Sequence, residues 1–217
     1  MPIAFITIGQ SPRPDIMPAL TSFLGGMEVI ERGALDDVDI ADLASLAADD
    51  GDIPLATTAF GREVLVGKRR IMPLLQGAID RVPARAQDIV LPCIGSFPDV
   101  SSPVPLLMPG HLLKQDVASR WPEVAVLGVL APVQQQMEMN RAMWPLHSIS
   151  FEVASPYSSP AQIHEAGFRF RQLGIRHIVM NCMGYTSAMR HDLARSSGVD
   201  IILPGEVTAR ALAVLQS

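Results

Sequence analysis

Short runs rich in isoleucine and valine recur along the whole chain, each followed by glycine or proline and then by a stretch whose apolar residues have helical spacing. The short runs predict buried strands, and the stretches between them predict helices. Their alternation is typical of an α/β protein in which helices cover a parallel sheet. The predicted strands are residues 3–8, 27–30, 88–91, 124–129, 148–153, 177–180 and 200–203. The predicted helices are residues 15–23, 39–47, 69–81, 111–121, 134–143, 160–173, 187–197 and 206–215.

One segment breaks this alternation. Residues 53–57 and 62–66 are two short strand-like runs joined by Thr58-Ala-Phe-Gly61, and this spacing predicts a β-hairpin. We expect the hairpin to lie outside the main sheet. Because it falls between the first strand and Cys93, it would make the first half of the chain longer than the second.

Two parts of the chain follow one pattern. Residues 4–14 and 125–135 each form a strand that leads into a polar or proline-marked turn and a helix, and each half later supplies one cysteine. We therefore predict two pseudo-symmetric parallel-sheet halves, residues 1–120 with Cys93 and residues 121–217 with Cys182, which can interchange terminal elements. The likeness is one of pattern rather than of residues, so the ordinary rhythm of α/β proteins is the alternative.

Composition excludes several classes of protein. Hydrophobic residues make up 48% of the 217 residues and charged residues 18%, which is typical of a well-buried globular chain. The net charge of −5, with no basic block denser than Lys68-Arg69-Arg70, argues against nucleic acid as a partner. The N-terminal apolar run stops at Gly9, too short to span a membrane, and lacks a basic leader. We predict a cytoplasmic protein.

The two cysteines each close a hydrophobic run of the same shape. The runs read Asp88-Ile-Val-Leu-Pro-Cys93-Ile-Gly-Ser96 and His177-Ile-Val-Met-Asn-Cys182-Met-Gly-Tyr-Thr186. Two isolated cysteines form neither a disulfide framework nor a zinc site, so no metal is predicted. Ligands of open α/β sheets bind beyond the carboxyl ends of the strands, where both thiols are expected. The alternative is that both cysteines only fill space in the core.

The surroundings of each thiol bear on its reactivity. The N-terminus of a following helix would favour the thiolate, whereas apolar burial would raise the thiol pKa. Gly95 and Gly184 would let the backbone approach a ligand closely. Ser96 and Thr186 are candidates for binding an anion and equally for capping a helix.

A pair of thiols on opposite sides of one carbon suits proton transfer. A thiolate on one face removes a proton while a thiol on the other returns one, which amounts to racemisation or epimerisation. The enolate-like carboxylate formed on the way can be stabilised by backbone N–H groups and hydroxyls without a cofactor. The first turn carries Gly9, Gln10, Ser11 and Arg13, a suitable set for gripping a carboxylate, although Arg13 between two prolines is also typical of a solvated turn residue.

Three segments carry a family resemblance. Phe5-Ile-Thr-Ile-Gly9-Gln-Ser-Pro-Arg13-Pro-Asp15, Leu74-Leu-Gln76 and Met180-Asn-Cys182-Met-Gly184-Tyr resemble the AroM family, and the similarity runs the full length. That family is similar to the aspartate/glutamate racemase superfamily, whose members have two pseudo-symmetric α/β halves with one cysteine each at the cleft. The resemblance implies an oligomeric, cofactor-independent enzyme for a small carboxylic acid, with Cys93 and Cys182 at the two catalytic positions. The predicted substrate-binding residues are Gly9, Gln10, Ser11, Arg13, Gly95, Ser96, Gly184, Tyr185 and Thr186.

The sequence departs from the racemase pattern around the thiols. Those enzymes tend to carry Cys-Asn-Thr and Gly-Cys-Thr, where this chain has Cys93-Ile-Gly-Ser96 and Asn181-Cys182-Met-Gly184. Three hypotheses therefore stay open. The first is an isomerase or racemase that uses both thiols, the second is a decarboxylase or lyase that uses only Cys182, and the third is a non-catalytic protein that binds a small molecule.

Overall fold

The computed structural model describes residues 2–22 and 24–214, and in them ten strands form two parallel sheets and a hairpin. The strands are β1 (Ile3–Thr7), β2 (Val29–Gly33), β3 (Pro54–Ala59), β4 (Arg62–Gly67), β5 (Asp88–Val90), β6 (Leu106–Leu107), β7 (Val126–Ala131), β8 (Ser148–Val153), β9 (His177–Met180) and β10 (Asp200–Ile202). The helices are α1 (Met17–Thr21), α2 (Lys68–Asp80), α3 (Pro109–Arg120), α4 (Met137–Met143), α5 (Pro160–Gln172), α6 (Ser187–Ser197) and α7 (Pro204–Val214).

The two parallel sheets have the same strand order. The first runs β2-β1-β5-β6 and the second runs β8-β7-β9-β10, so in each sheet the first strand lies between the second and the third. Strand β1 therefore corresponds to β7, and β5 corresponds to β9. The prediction of two pseudo-symmetric α/β halves is confirmed. The cysteines follow β5 and β9, and thus occupy equivalent places in the two halves.

One apolar cluster contains residues of both sheets. It includes Phe5 and Val90 from the first sheet and Val129 and Val179 from the second, all almost fully buried. The C-terminal helix α7 packs against α1 and α3, which belong to the first half. The halves are therefore joined by a common core as well as by the chain. The division at residues 120 and 121 stays a prediction.

The predicted hairpin is present and forms a sheet of its own. Strands β3 and β4 are antiparallel, and their turn is Phe60-Gly61, with φ angles of 52° and 72°. Two successive residues with positive φ are typical of the tight turn that matches the twist of a hairpin. Thr58 and Ala59, which we had expected in the loop, extend the ladder instead.

The hairpin reaches across to the second half of the chain. Gln136 Nε2 donates a hydrogen bond to the carbonyl oxygen of Pro54 at 2.9 Å. Ser155 Oγ donates to Glu63 Oε1 at 2.6 Å. The insertion in the first half is therefore tied at both of its strands to loops of the second half.

One predicted helix is absent, and one short strand was not predicted. The helix predicted over residues 39–47 is wrong, because only a 3-10 turn, Leu43–Leu46, forms there. This segment is dense in aspartate, whose carboxylates compete for backbone N–H groups and so disfavour a helix interior. Strand β6, two residues long between prolines, was not predicted. The predicted ends at Phe23 and Leu215 lie outside the described residues. No described helix combines the length and apolar character needed to cross a membrane.

Candidate active site

Both thiols are held by the same local turn. The N–H of Cys93 donates to the carbonyl of Leu91 at 2.7 Å, and that of Cys182 donates to the carbonyl of Met180 at 2.9 Å. Backbone N–H groups also reach the two sulfurs, from Gly95 to Cys93 and from Gly184 to Cys182. The repeated sequence Cys-x-Gly thus forms the same turn twice, once after β5 and once after β9.

The two corners meet at one cavity of about 40 Å³, which both cysteines line. Gly95, Gly184 and Arg13 also lie in its wall, so five of the predicted site residues come together there. A space of this size holds only two or three water molecules, roughly. Arg13 is the one charged residue among the described residues that line it.

Arg13 is buried, with 3% of its surface exposed, so the alternative of a solvated turn residue is wrong. Its Nε and Nη2 donate to the two oxygens of Asp15 at 2.8 and 2.6 Å. Nη1 donates to Thr7 Oγ1 at 2.9 Å and Thr57 Oγ1 at 3.1 Å, and Nη2 also donates to Tyr157 Oη at 2.9 Å. All five N–H groups of the guanidinium are therefore used within the protein. In this arrangement Arg13 offers a ligand its positive charge but no free donor.

The charge on Arg13 is permanent. Burial by itself would lower the pKa of Arg13, but the hydrogen bonds and negative charge of Asp15 outweigh burial and raise that pKa. The carboxyl of Asp15 therefore serves to keep the guanidinium in place and ionised.

Two hydroxyls in the cavity wall are hydrogen-bonded to Arg13. Thr57 on β3 and Tyr157 in the loop after β8 both line it, and each accepts a hydrogen bond from Arg13. In the described residues neither hydroxyl proton has a protein acceptor, so each remains free to donate. Burial and the nearby Cys182 raise the pKa of Tyr157, which keeps it protonated at neutral pH. One hydroxyl that is free to donate thus comes from each half of the chain.

Both cysteines are partly buried, and burial of the sulfurs is the largest influence on the pKa of each thiol. It raises the pKa of Cys182 to about 12, and the neighbouring Cys93 adds to the effect, while the N–H of Gly184 opposes it. Burial also raises the pKa of Cys93, against the opposing N–H groups of Gly95 and Ile94 and the cations Arg13 and Lys68. Of the two expected effects, apolar burial therefore prevails over the helix N-terminus. Both thiols are free in the structure.

The other residues of the first turn support the hairpin and the turn itself. Gln10 accepts a hydrogen bond from the N–H of Phe60 at 2.8 Å. The N–H and hydroxyl of Ser11 donate to the carboxylate of Asp36 at 2.7 and 2.8 Å. Gly9 passes so close to Thr57 that a Cβ there would lie 2.3 Å from its Oγ1. None of these three residues is part of the cavity wall. Direct contact with a ligand stays a prediction for each.

The residues that follow the Cys-x-Gly corners face other surfaces. Ser96 lines a neighbouring hollow of about 190 Å³. Tyr185 donates to the carbonyl of Ala154 at 2.6 Å, and Thr186 caps α6 by accepting from Met189 N–H at 3.3 Å. Tyr185 and Thr186 line a larger hollow of about 480 Å³. Their roles as ligand contacts stay predictions.

Sequence reasoning missed the residues that reach the cavity from loops and from the hairpin. They are Thr57, Gln136, Tyr157 and Asn181. Two weak signals existed in the sequence, since Tyr157 is one of only two tyrosines and Asn181 directly precedes Cys182. Among the described residues, no group of three or more histidine, cysteine or acidic side chains is arranged to hold a metal ion.

Comparison with known proteins identifies the family and the fold. The family model described as AroM protein matches residues 3–215. A search of curated protein sequences found no match. The structure is similar to glutamate racemase isoform RacE1 from Bacillus anthracis, with a TM-score of 0.65 and 11% identity over 98% of this chain and 80% of that chain.

Two further solved structures share the architecture. Unliganded arylmalonate decarboxylase gives a TM-score of 0.60 and 13% identity, covering 98% of this chain and 92% of that chain. Picrophilus torridus aspartate racemase gives 0.54 and 9%, covering 99% and 93%. Identities this low establish a common fold only, and they confirm the racemase-like architecture expected from the sequence.

Proposed function

The chain belongs to the AroM family, and from that premise we propose that it is a cofactor-independent isomerase or racemase that moves a proton at the α-carbon of a small carboxylic acid. One observation carries the proposal: two thiols from equivalent corners of pseudo-symmetric halves line a single cavity. The proposal includes the cytoplasmic location and the homo-oligomer expected from the sequence. The cavity of about 40 Å³ favours a small ligand.

The hydroxyls of Thr57 and Tyr157 bind the ligand carboxylate, and the positive charge of Arg13 stabilises it. Thr57 and Tyr157 each retain a proton to donate, because the lone pairs of their oxygens already face Arg13. Donors that are fixed before the reaction stabilise negative charge as it moves onto the carboxylate oxygens. Arg13 thus acts as a positioning residue that orients both hydroxyls and supplies a buried positive charge.

One sulfur removes the α-proton and the other supplies a new proton to the opposite face of the carbon. The thiolate of Cys93 takes the α-proton, and the electron pair of the broken C–H bond moves into the carboxylate to give an enediolate. Cys182 then donates its S–H proton to the opposite face of the same carbon. The products are the inverted acid, a Cys93 thiol and a Cys182 thiolate, and proton exchange with water restores the starting pair.

The surroundings of the sulfurs favour this assignment of base and acid. Burial raises the pKa of Cys93, but two backbone N–H groups, Arg13 and Lys68 all oppose that rise and so support its thiolate. Cys182, with a pKa of about 12, holds its proton until a carbanion needs it. In the reverse direction the two sulfurs exchange roles.

Exchange of the α-proton in D₂O tests the proposal. Small chiral acids are incubated with the enzyme, and loss of the α-proton signal and of optical activity is followed together. Cys93→Ala and Cys182→Ala should each abolish the loss of optical activity. If no acid exchanges and neither substitution alters ligand binding, the two-thiol mechanism is wrong. Tight binding without turnover would support the non-catalytic alternative instead.

A second candidate, a single-cysteine decarboxylase, is favoured by one observation. The raised pKa of Cys182 keeps its thiol neutral, which suits a proton donor better than a base. In that reaction the C–C bond to one carboxylate breaks and carbon dioxide leaves. The electron pair of the broken bond moves into the remaining carboxylate to give an enediolate, and Cys182 then protonates the carbon. Carbon dioxide release from substituted malonates that survives Cys93→Ala but not Cys182→Ala would distinguish this candidate from the first.

A further inference from the structure

A chain of buried side-chain amides runs from the hairpin to the residue before Cys182. Gln136 Nε2 donates to the carbonyl of Pro54 at 2.9 Å, and Asn140 Nδ2 donates to the backbone carbonyl of Gln136 at 2.8 Å. Asn181 Nδ2 then donates to Asn140 Oδ1 at 2.5 Å. The three amide side chains are 5%, 0% and 4% exposed, in that order. The series is therefore shielded from water along its length.

The order of donors and acceptors determines which atom of the Asn181 amide has no hydrogen-bond partner. A backbone carbonyl only accepts, so Asn140 must turn its NH₂ toward Gln136. The Oδ1 of Asn140 then faces Asn181, which must donate to it from its own NH₂ group. The remaining atom, Asn181 Oδ1, is buried and has no hydrogen-bond partner among the described residues.

An unpaired carbonyl oxygen in the interior is costly, and native proteins rarely leave one. Asn181 lines the same cavity as Cys93 and Cys182. A ligand that brings a hydrogen-bond donor next to the reacting carbon would complete the amide series. A ligand with only hydrogen at that position would leave the oxygen unpaired.

The charge of the cavity decides what kind of donor fits. Arg13 is the one charged side chain among the described residues in its wall, and it matches a carboxylate. Asp15 is already ion-paired to Arg13 and lines a different hollow. An ammonium group beside Asn181 would therefore find no carboxylate in the wall, only the Cys93 thiolate that the proposed reaction protonates, so its burial is less favourable than that of a neutral group. A hydroxyl carries no such penalty.

We propose that the substrate is a small 2-hydroxy acid rather than a 2-amino acid, and that Asn181 Oδ1 accepts the hydrogen bond of its hydroxyl. This proposal rests on the proposed function, because it places the acid between the same two thiols. Asn181 contacts the substrate in it, and Asn140 is a positioning residue that prevents the Asn181 amide from flipping.

Binding of three acids of equal length tests the proposal by isothermal titration calorimetry. Lactate, propionate and alanine share the carboxylate and differ only in a hydroxyl, a hydrogen or an ammonium at the α-carbon. We expect the wild type to bind lactate about tenfold more tightly than propionate, and alanine most weakly. Asn181→Leu should remove the preference for lactate, so that the ratio of lactate to propionate affinity falls to about one.

Two further variants keep the test decisive if Asn181→Leu fails to fold. Asn140→Leu leaves Asn181 in place but frees its amide to turn, so the preference for lactate should fall while propionate still binds. Asn181→Asp supplies a carboxylate for an ammonium, so alanine should then bind more tightly than propionate. A role of Asn181 in stability alone would not move these ratios.

The results that overturn the proposal differ from those that overturn the proposed function. Equal binding of lactate and propionate by the wild type would mean that water satisfies Asn181 Oδ1. Tighter binding of alanine than of lactate, or no binding of any of the three, would also overturn it. Selective lactate binding without α-proton exchange would support the assignment of Asn181 and contradict the isomerase reaction.

Discussion

Arg13 and Tyr157 form a hydrogen bond of 2.9 Å between the guanidinium Nη2 and the phenolic oxygen, across the two halves of the chain. The bond is possible because the corner after Cys182 has glycine at position 184, where a Cβ would lie 2.5 Å from the tyrosine hydroxyl. It leaves the tyrosine proton directed away from Arg13 and available to a ligand. Arg13 of the first half therefore orients the hydroxyl of Tyr157, which belongs to the second half.

Replacement of Tyr157 by phenylalanine tests this donor. We expect kcat/KM for α-proton exchange to fall about 100-fold, the usual effect of removing one donor to a developing oxyanion. Stability should change little, because Arg13 keeps its bonds to Asp15, Thr7 and Thr57. Exchange is followed by proton NMR in D₂O and stability by thermal melting.

The second tyrosine offers a matched comparison. The hydroxyl of Tyr185 donates to the carbonyl of Ala154, so Tyr185→Phe should lower the melting temperature and reduce exchange less than Tyr157→Phe does. If the two substitutions reduce exchange equally, the hydroxyl of Tyr157 has no special part in binding the anion.

Single cysteine substitutions separate the two enzymatic candidates. With the isomerase, Cys93→Ala and Cys182→Ala should each reduce racemisation at least about 10³-fold, within the range for loss of a general acid or base. The two variants should also differ in deuterium incorporation, since Cys93→Ala removes the proposed base and Cys182→Ala the proposed acid. Chiral chromatography after incubation in D₂O measures both quantities. Full racemisation by Cys93→Ala would rule out the two-thiol mechanism.

Periodicity and strand-end chemistry predicted most of the fold and the centre of the site. Strands β1 and β7 and the two cysteine corners were recognised because local sequence dictates them: β-branched runs form buried strands, and Cys-x-Gly shapes a turn. The hairpin was also predicted, although the left-handed conformation of Phe60 allowed a shorter turn than expected. The failed helix at residues 39–47 had helical spacing, but no residue of the 3-10 turn that forms there is buried, so packing does little to stabilise a helix.

The remainder of the site depends on contacts between distant segments. Tyr157 enters the cavity because the second half folds over the first, and its bond to Arg13 spans 144 positions in the sequence. Asn140 and Asn181 are joined across 41 positions, and nothing in their neighbours predicts the pairing. The burial that raises the thiol pKa values also arises only when the halves close on each other.

The pKa of Cys182 predicts an unusual pH dependence of alkylation. An ordinary cysteine, with a pKa near 9.0, reacts with iodoacetamide at a rate that levels off once the pH passes that value. With its pKa raised to about 12, Cys182 should react slowly at pH 8 and continue to accelerate through pH 11. Peptide mapping by mass spectrometry after timed alkylation gives its rate at each pH. In denaturant the same peptide should level off near 9.0, and the same behaviour in the native state would contradict the raised pKa.

The link between Ser155 and Glu63 predicts how the cavity is closed. Glu63→Ala removes the acceptor of the 2.6 Å hydrogen bond, so the hairpin should open more often and alkylation of Cys93 and Cys182 at pH 9 should be faster. Arg62→Ala, at an exposed position on the same strand, is the matched control and should leave the rates unchanged. Equal rates in the wild type and both variants would mean that the hairpin does not control access.

A methyl group added at Gly9 should destabilise the fold, because the first turn packs closely against the hairpin there. A Cβ at this position would lie 2.3 Å from Thr57 Oγ1 and 2.6 Å from the carbonyl of Thr58, so Gly9→Ala must push β3 away from the first turn. We expect a loss of about 2 kcal/mol in the free energy of unfolding, typical of overpacking against backbone. Gly77→Ala is the control, because no atom lies within 4 Å of its added Cβ and alanine favours the helix by about 0.5 to 1 kcal/mol. Urea denaturation compares the two variants, and a loss in Gly9→Ala no larger than the change in Gly77→Ala would show that the hairpin is not packed against the first turn.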